Sequence, residues 1–312
     1  MTSSTENRET GEAALPARRG SRALGLAKAV RPKQWIKNFF VFVPAIFALK
    51  FLDAEPMARA AAAFVIFSAI SSATYLLNDV LDRESDRAHP VKRSRPIASG
   101  EVTVGLALAA AAVLAAVSLI AAALLDPYFA AVVFVYALVT AGYSLYVKHL
   151  VILDVMFLAA GFVIRVAAGA VVARVEASEW LFLCTLLLAL FLGFSKRRHE
   201  LTLLEGGASH HRRVLVHYSP ELLDQMVVIV ATSAILCYIL YTVWPATVEK
   251  FHTKHLIYTV PFVIYGIFRY FYLIHQRNSG GDPTGSLLTD RPLLVSVLLW
   301  LTVAVAVIYF RV

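Results

Sequence analysis

Apolar runs of bilayer length recur along this sequence, near 38–53, 60–81, 103–125, 129–147, 151–173, 180–195, 225–245, 256–274 and 292–310. About 20 consecutive apolar residues carry a helix across the hydrocarbon core of a membrane. No water is present there to satisfy backbone N–H and C=O groups, so each run must satisfy its own as a helix. The expected fold is therefore all-α: a polytopic membrane protein of about nine transmembrane helices. Composition agrees, with 59% hydrophobic residues, 16% charged residues and a mean hydropathy of +0.69, far from a soluble domain. Nothing is left over for a nucleic-acid-binding module. The first run, interrupted by Pro44, is the weakest of the set. Residues 1–30 are polar, rich in Ala, Arg and Glu, and lack the apolar core of a cleavable signal. They are expected to form a disordered cytoplasmic tail ahead of a membrane domain over 31–312.

Lys and Arg accumulate on the cytoplasmic loops of such proteins. With nine crossings, 21 of them fall on the side of the N-terminus and 6 on the other. The N-terminus and the two long polar segments, 82–102 and 196–224, are thereby expected in the cytoplasm, on the inner face of the plasma membrane. The net charge of +8 gathers on that face, where it attracts anionic membrane lipids or phosphorylated substrates. Cys184 and Cys237 both lie inside apolar runs and read as packing residues, suggesting neither a disulfide nor a metal site.

The second run ends in Asn78-Asp79-Val80-Leu81-Asp82-Arg83-Glu84-Ser85-Asp86. Residues four apart share a helix face, so Asn78, Asp82 and Asp86 form an oxygen-bearing ridge roughly 12 Å long. Magnesium takes oxygen ligands and commonly joins one or two carboxylates to substrate phosphates. The ridge is followed by Lys92, Arg93 and Arg95, so a Mg2+-bound diphosphate is the ligand class it points to, with Asp79 and Lys92 beside it. A polar cap where a helix leaves the bilayer is the plainer reading of any single Asp.

Further charged groups cluster at the same membrane depth. Arg31-Pro32-Lys33-Gln34-Trp35-Ile36-Lys37-Asn38 reads either as an interfacial helix with Trp35 at headgroup level or as a phosphate contact through Arg31, Lys33 or Lys37. Tyr143, Ser144 and Lys148 end the fourth run, and Asp154 opens the fifth. Arg165 lies about three turns deeper, where a charge faces a cavity or an ion-pair partner. Ser195-Lys196-Arg197-Arg198-His199-Glu200 closes the sixth run, with Lys196 and Glu200 on one face. His89, His199 and His210–His211 read as solvated loop residues.

The Asn-Asp-x-x-Asp-x-x-x-Asp pattern at the end of the second of nine runs resembles the first signature of the UbiA superfamily of intramembrane prenyltransferases. That resemblance covers about 31–310 and implies a cavity open to lipid beneath a polar cap. It makes Asn78, Asp82 and Asp86 the Mg2+–diphosphate ligands, and Tyr143, Ser144 and Lys148 substrate contacts. Ordinary members carry a second motif, Asp-x-x-x-Asp, after the sixth span; here the place reads Lys196-Arg197-Arg198-His199-Glu200. Cations neutralise phosphate directly, so this departure resembles the branch that moves phosphoribosyl groups in actinobacterial cell-wall synthesis. The implied donor is 5-phosphoribosyl 1-diphosphate and the implied acceptor a polyprenyl (decaprenyl) phosphate. In that reading Lys196 and Arg197 hold the 5-phosphate, and Arg31, Lys33, Lys37 or Arg165 the lipid phosphate. The alternatives are transfer of a prenyl group from a prenyl diphosphate to an aromatic acceptor, and, from another class, a transporter. Bundles of this type occur as monomers or as higher assemblies, so a homo-oligomer is compatible with the sequence.

Overall fold

The structure, a computed structural model, describes residues 19–205, 213–277 and 283–310. Its α-helices are α1 (Arg19–Ala29), α2 (Val43–Phe47), α3 (Ala54–Leu81), α4 (Arg83–Ala88), α5 (Val104–Leu125), α6 (Pro127–Leu145) and α7 (Leu153–Ala173). They continue with α8 (Glu179–Glu205), α9 (Pro220–Val243), α10 (Pro245–Phe251), α11 (Val260–Arg277), α12 (Pro283–Thr289) and α13 (Arg291–Phe310). Short 3₁₀ segments at Pro32–Val41, Lys92–Ser94, Val147–His149, Arg213–His217 and His255–Thr259 join them. No strand occurs among the described residues.

Several helix starts follow from local chemistry. Asp126, Ser219 and Trp244 each precede a proline that opens a helix, where its missing N–H and fixed φ cost nothing. The Asp126 carboxylate accepts from the N–H groups of Tyr128 and Phe129, and the Ser219 hydroxyl from that of Leu222, satisfying donors that a helix start leaves open.

Among the described residues eight helices are long and apolar enough to cross a membrane: α3, α5 to α9, α11 with the 3₁₀ turn before it, and α13. Their outer surface is aliphatic, with Leu124 84% exposed and Val65, Val113 and Ile120 also uncovered. Water would penalise such a surface, whereas lipid does not. The protein is an integral multi-pass membrane protein. Alternation brings the ends of α3, α6, α8 and α11 together with the starts of α5, α7, α9 and α13 at one end of the bundle, the polar end.

The first apolar run departs from expectation, because it is not one long α-helix. A 3₁₀ segment, Pro32–Val41, is followed by the five residues of α2. It still traverses the bundle. Arg31 meets Asp79, the Trp35 indole N–H donates to Ser72 Oγ and Asn38 Nδ2 to Ser68 Oγ, so the segment descends antiparallel to α3. Beyond it, the Tyr309 hydroxyl donates to the Ile46 carbonyl and accepts from the Phe51 N–H at the far end. The steeper rise of a 3₁₀ coil, about 2.0 Å per residue against 1.5 Å, lets few residues cover that depth. Close approach to α7 depends on Gly169, where an added Cβ would lie 2.1 Å from the Val41 carbonyl oxygen.

Trp35 lies half-buried, with its indole N–H on Ser72 of α3, so the segment before the first run is pinned to the bundle. Two further expectations change. Residues 19–29, expected within a disordered tail, form α1, and Ala29 is buried with Leu76, Ile97 and Val102. The sixth run does not stop at residue 195 but continues as α8 to Glu205.

Candidate active site

The acidic signature spans a helix break. Asp82 is the C-cap of α3, and α4 begins at Arg83. The break is shallow, since Asp82 N–H bonds the Asn78 carbonyl at 2.9 Å and Asp86 N–H the Asp82 carbonyl at 2.8 Å. The i, i+4, i+8 order expected from spacing therefore survives as a bent edge. Asn78 Nδ2 donates to Asp82 Oδ2 at 3.0 Å, which orients the Asn78 carbonyl oxygen away from that carboxylate.

Each acid of the cluster meets a cation. Lys148 donates to Asp82 Oδ1, and Arg95 donates to Asp86 Oδ2 at 2.7 Å and to Asp79 Oδ1 at 3.2 Å. Arg31 adds a second partner to Asp79. Asp79 and Asp86 are buried, Asp82 is half-buried, and Lys148 is only 7% exposed. From the basic loop, Arg95 reaches two of the acids, Asp79 and Asp86. Its only sequence signal is its place in the Lys92–Arg95 run.

The basic end of α8 is wired differently from expectation. Arg197 is 1% exposed, and its Nε donates to Asp154 Oδ2 at 2.6 Å, where Asp154 is 0% exposed. Arg197 Nη1 donates to Glu200 at 2.7 Å and Nη2 to the Tyr143 hydroxyl at 3.3 Å. Arg197 and Asp154 thus hold one another. Lys196 and Glu200 do share a face, 4.0 Å apart. Arg198 bonds Asp224 at 3.0 Å, which also faces His275 across 3.4 Å, fastening α8 to α9 and α11. His199 is buried on α8 instead of solvated, and the His89 ring accepts from the Val91 and Lys92 N–H groups. His210–His211 lie outside the described residues.

The stretch from Tyr143 to Asp154 stands between the two charged helix ends and touches both, through Lys148 on one side and Tyr143 and Asp154 on the other. Ser144 is buried and donates to the Thr140 carbonyl of its own helix. Lys33 is exposed, and Lys37 and Lys92 are half-buried.

Arg165, expected on a lipid phosphate or an ion-pair partner, is given over to neutral protein groups. Its Nε donates to Asn38 Oδ1, Nη1 to the Gly161 carbonyl and Nη2 to the Tyr136 hydroxyl, each at 2.7 Å, with the guanidinium 4.7 Å from the Tyr136 ring centre. It ties the 3₁₀ segment to α6 and α7. A Lys ammonium carries its three donors on a single nitrogen and cannot span acceptors set around three separate guanidinium nitrogens, so Arg165→Lys is expected to destabilise the purified protein by about 2 kcal/mol. A lowered thermal midpoint in detergent checks this; an unchanged one removes the strut role.

Among the described residues no three His, Cys, Asp or Glu side chains gather as a metal cage. The donor set, an amide oxygen and two carboxylates on one edge, nonetheless fits Mg2+ that is held jointly by protein and substrate phosphates. A cavity of about 230 Å³ opens at the opposite end, between Phe47, Glu176, Trp180, Trp244 and Lys250, and shares no residue with this cluster. Cys184 and Cys237, read as packing residues, bring their sulfurs within 3.5 Å as free thiols.

A bundle of apolar, bilayer-length helices with a charge-dense cluster at one end defines a multi-pass membrane protein. The chain belongs to the UbiA prenyltransferase family, whose sequence profile matches residues 39–289. It is 35% identical over 297 residues to a decaprenyl-phosphate phosphoribosyltransferase from Mycolicibacterium smegmatis, an alignment covering 92% of this chain and 93% of that one. The Mycobacterium tuberculosis protein of the same description is 34% identical, with 92% and 95% covered. A UbiA homolog from Archaeoglobus fulgidus, solved bound to GPP and Mg2+, superposes with a TM-score of 0.70 at 18% identity, covering 91% of this chain and 99% of that one.

Proposed function

We propose that this enzyme transfers a 5-phosphoribosyl group from 5-phosphoribosyl 1-diphosphate to a polyprenyl phosphate such as decaprenyl phosphate, releasing diphosphate. The observation that carries the reading is the basic end of α8, Lys196 to Glu200, where a prenyl-diphosphate enzyme of this family resemblance has a second acidic motif. Full-length relatives described as decaprenyl-phosphate phosphoribosyltransferases support it.

Asn78, Asp82 and Asp86 are the residues that would hold Mg2+, which, when bound, offsets charge on the departing diphosphate. Lys148 and Arg95, adjoining those carboxylates, draw the diphosphate oxygens to the same edge and favour its departure from ribose C1. Asp79 fixes Arg31 and Arg95 in turn. Lys196 is the cation of the α8 end assigned to the 5-phosphate, because Arg197 is committed to Asp154 and Glu200. The acceptor phosphate attacks C1 from the face opposite the leaving group, inverting it, with its tail in the lipid. A phosphate monoester is already anionic near neutral pH, so no general base is required. The positive-inside bias of 21 against 6 supports a cytoplasmic placement of the polar end, in this reading at the plasma membrane.

The test is direct. Detergent-purified protein given Mg2+, labelled phosphoribosyl diphosphate and decaprenyl phosphate is expected to yield labelled lipid and free diphosphate. No transfer there, with transfer from a prenyl diphosphate to an aromatic acceptor instead, would overturn the proposal.

A further inference from the structure

The connection between α6 and α7 contains a backbone conformation that its sequence resists. Ile152 has φ 69° and ψ −50°, and the Leu153 N–H bonds the Val151 carbonyl two residues back at 2.8 Å. This is a γ-turn of the rare positive-φ hand. A β-branched residue there is a steric outlier, and such strain persists only where the surroundings enforce it.

The enforcing group is Tyr218, a residue just before α9 that carries no motif. Its hydroxyl accepts the Ile152 N–H at 2.6 Å and donates to Asp154 Oδ1 at 3.0 Å. Asp154 Oδ2 is taken by Arg197, so the buried carboxylate has partners for both oxygens. Burial, the leading cause, pushes the Tyr218 phenol up to about 12. It therefore remains protonated, and a donor, at neutral pH. Upstream, on the same short connection, Lys148 meets Asp82 of the acidic edge. Only three residues separate Lys148 from Ile152, so a swing of the Ile152 backbone moves the lysine.

We infer that Tyr218 is a positioning residue: it holds the strained Ile152 turn, and with it the Val147–Leu153 connection, in the register that keeps Lys148 on Asp82. The kinetic consequence rests on the phosphoribosyl-transfer reading, with Lys148 acting on the donor diphosphate. Loss of the hydroxyl leaves the Ile152 N–H and one Asp154 oxygen without partners, and the turn relaxes toward negative φ. Glycine at position 152 would adopt the same turn without strain, making the clasp dispensable.

The experiment compares wild type, Tyr218→Phe, Tyr218→Phe with Ile152→Gly, and both Tyr218 states in a Lys148→Ala background. Tyr218→Phe is expected to raise the donor KM about tenfold and to lower kcat as well, because Lys148 acts on the leaving diphosphate. In the Lys148→Ala background it should add less than about twofold, because the residue it acts through is gone. Adding Ile152→Gly should bring the donor KM back to within about threefold of wild type. An equal loss with and without Lys148, or no recovery with glycine, overturns the inference. If Tyr218→Phe alone does not fold, the glycine double variant decides: folding with a near-normal donor KM supports the clasp, and folding with a tenfold raised KM overturns it. Hydrogen exchange gives a readout independent of turnover, with the Ile152 and Leu153 amides expected to exchange about tenfold faster in Tyr218→Phe. A wild-type protein that makes no phosphoribosyl lipid would overturn the functional reading, while the exchange comparison would still test the clasp.

Discussion

Asp82→Asn is expected to lower kcat/KM for phosphoribosyl transfer by about three orders of magnitude while leaving the helical bundle folded. The side chain is nearly isosteric, and Asp82 is the C-cap of α3, so the backbone bonds to Asn78 and Asp86 survive. What is lost is charge. Asp82 is the one acid that joins the Asn78 amide to the Lys148 ammonium, and it is a proposed Mg2+ ligand, so removing its charge disturbs both electrostatic devices assigned to the leaving diphosphate. The structural cost is smaller. Lys148 loses its carboxylate partner, but the Asp82 side chain is 23% exposed, so water screens part of the change and about 1 kcal/mol is expected. Transfer assays with thermal unfolding in detergent separate the two effects. Near-normal turnover in Asp82→Asn would remove the acidic edge from the mechanism.

That edge was legible from spacing alone, because its contacts run i to i+4 along one helix and survive the break at Asp82. The apolar runs that became α5, α6, α7, α9 and α13 were legible for the same reason: length and hydropathy are local properties. The first run was misread because its form is set by distant groups, with Asp79, Ser72 and Ser68 of α3 and Gly169 of α7 fixing a 3₁₀ path. Charges after residue 195 look like an exit from the bilayer when read singly. They lie within α8 because partners neutralise two of them: Asp154 for Arg197 and Asp224 for Arg198, 43 and 26 positions away. No spacing rule connects such pairs. Tyr218 had no signal at all, since a tyrosine before a Ser-Pro helix start looks like any interfacial aromatic until Ile152 and Asp154 are seen against it.

Arg197→Met is expected to destabilise the protein by about 3–5 kcal/mol, because it strands Asp154, a carboxylate with no exposure, beside only a tyrosine hydroxyl. Methionine fills much of the volume, so the loss is electrostatic rather than a cavity. The paired variant Asp154→Leu with Arg197→Met should recover much of that stability, since replacing both members of a buried pair by apolar groups of similar size is often neutral. Recovery of stability need not restore turnover. The guanidinium also bonds Glu200 and the Tyr143 hydroxyl, and both would lose their orientation in the apolar pair. Thermal midpoints and donor KM values for the two single variants and the double variant make the decision. A stable Arg197→Met protein with a strongly raised donor KM would return Arg197 to the role first expected of it, a direct hold on the 5-phosphate. An unstable single variant rescued by the double would instead assign the α8 end two separate duties: Arg197 facing inward as the strut that lets a cationic helix end sit in the bundle, and Lys196, beside Glu200 on the same turn, as the cation that meets the substrate.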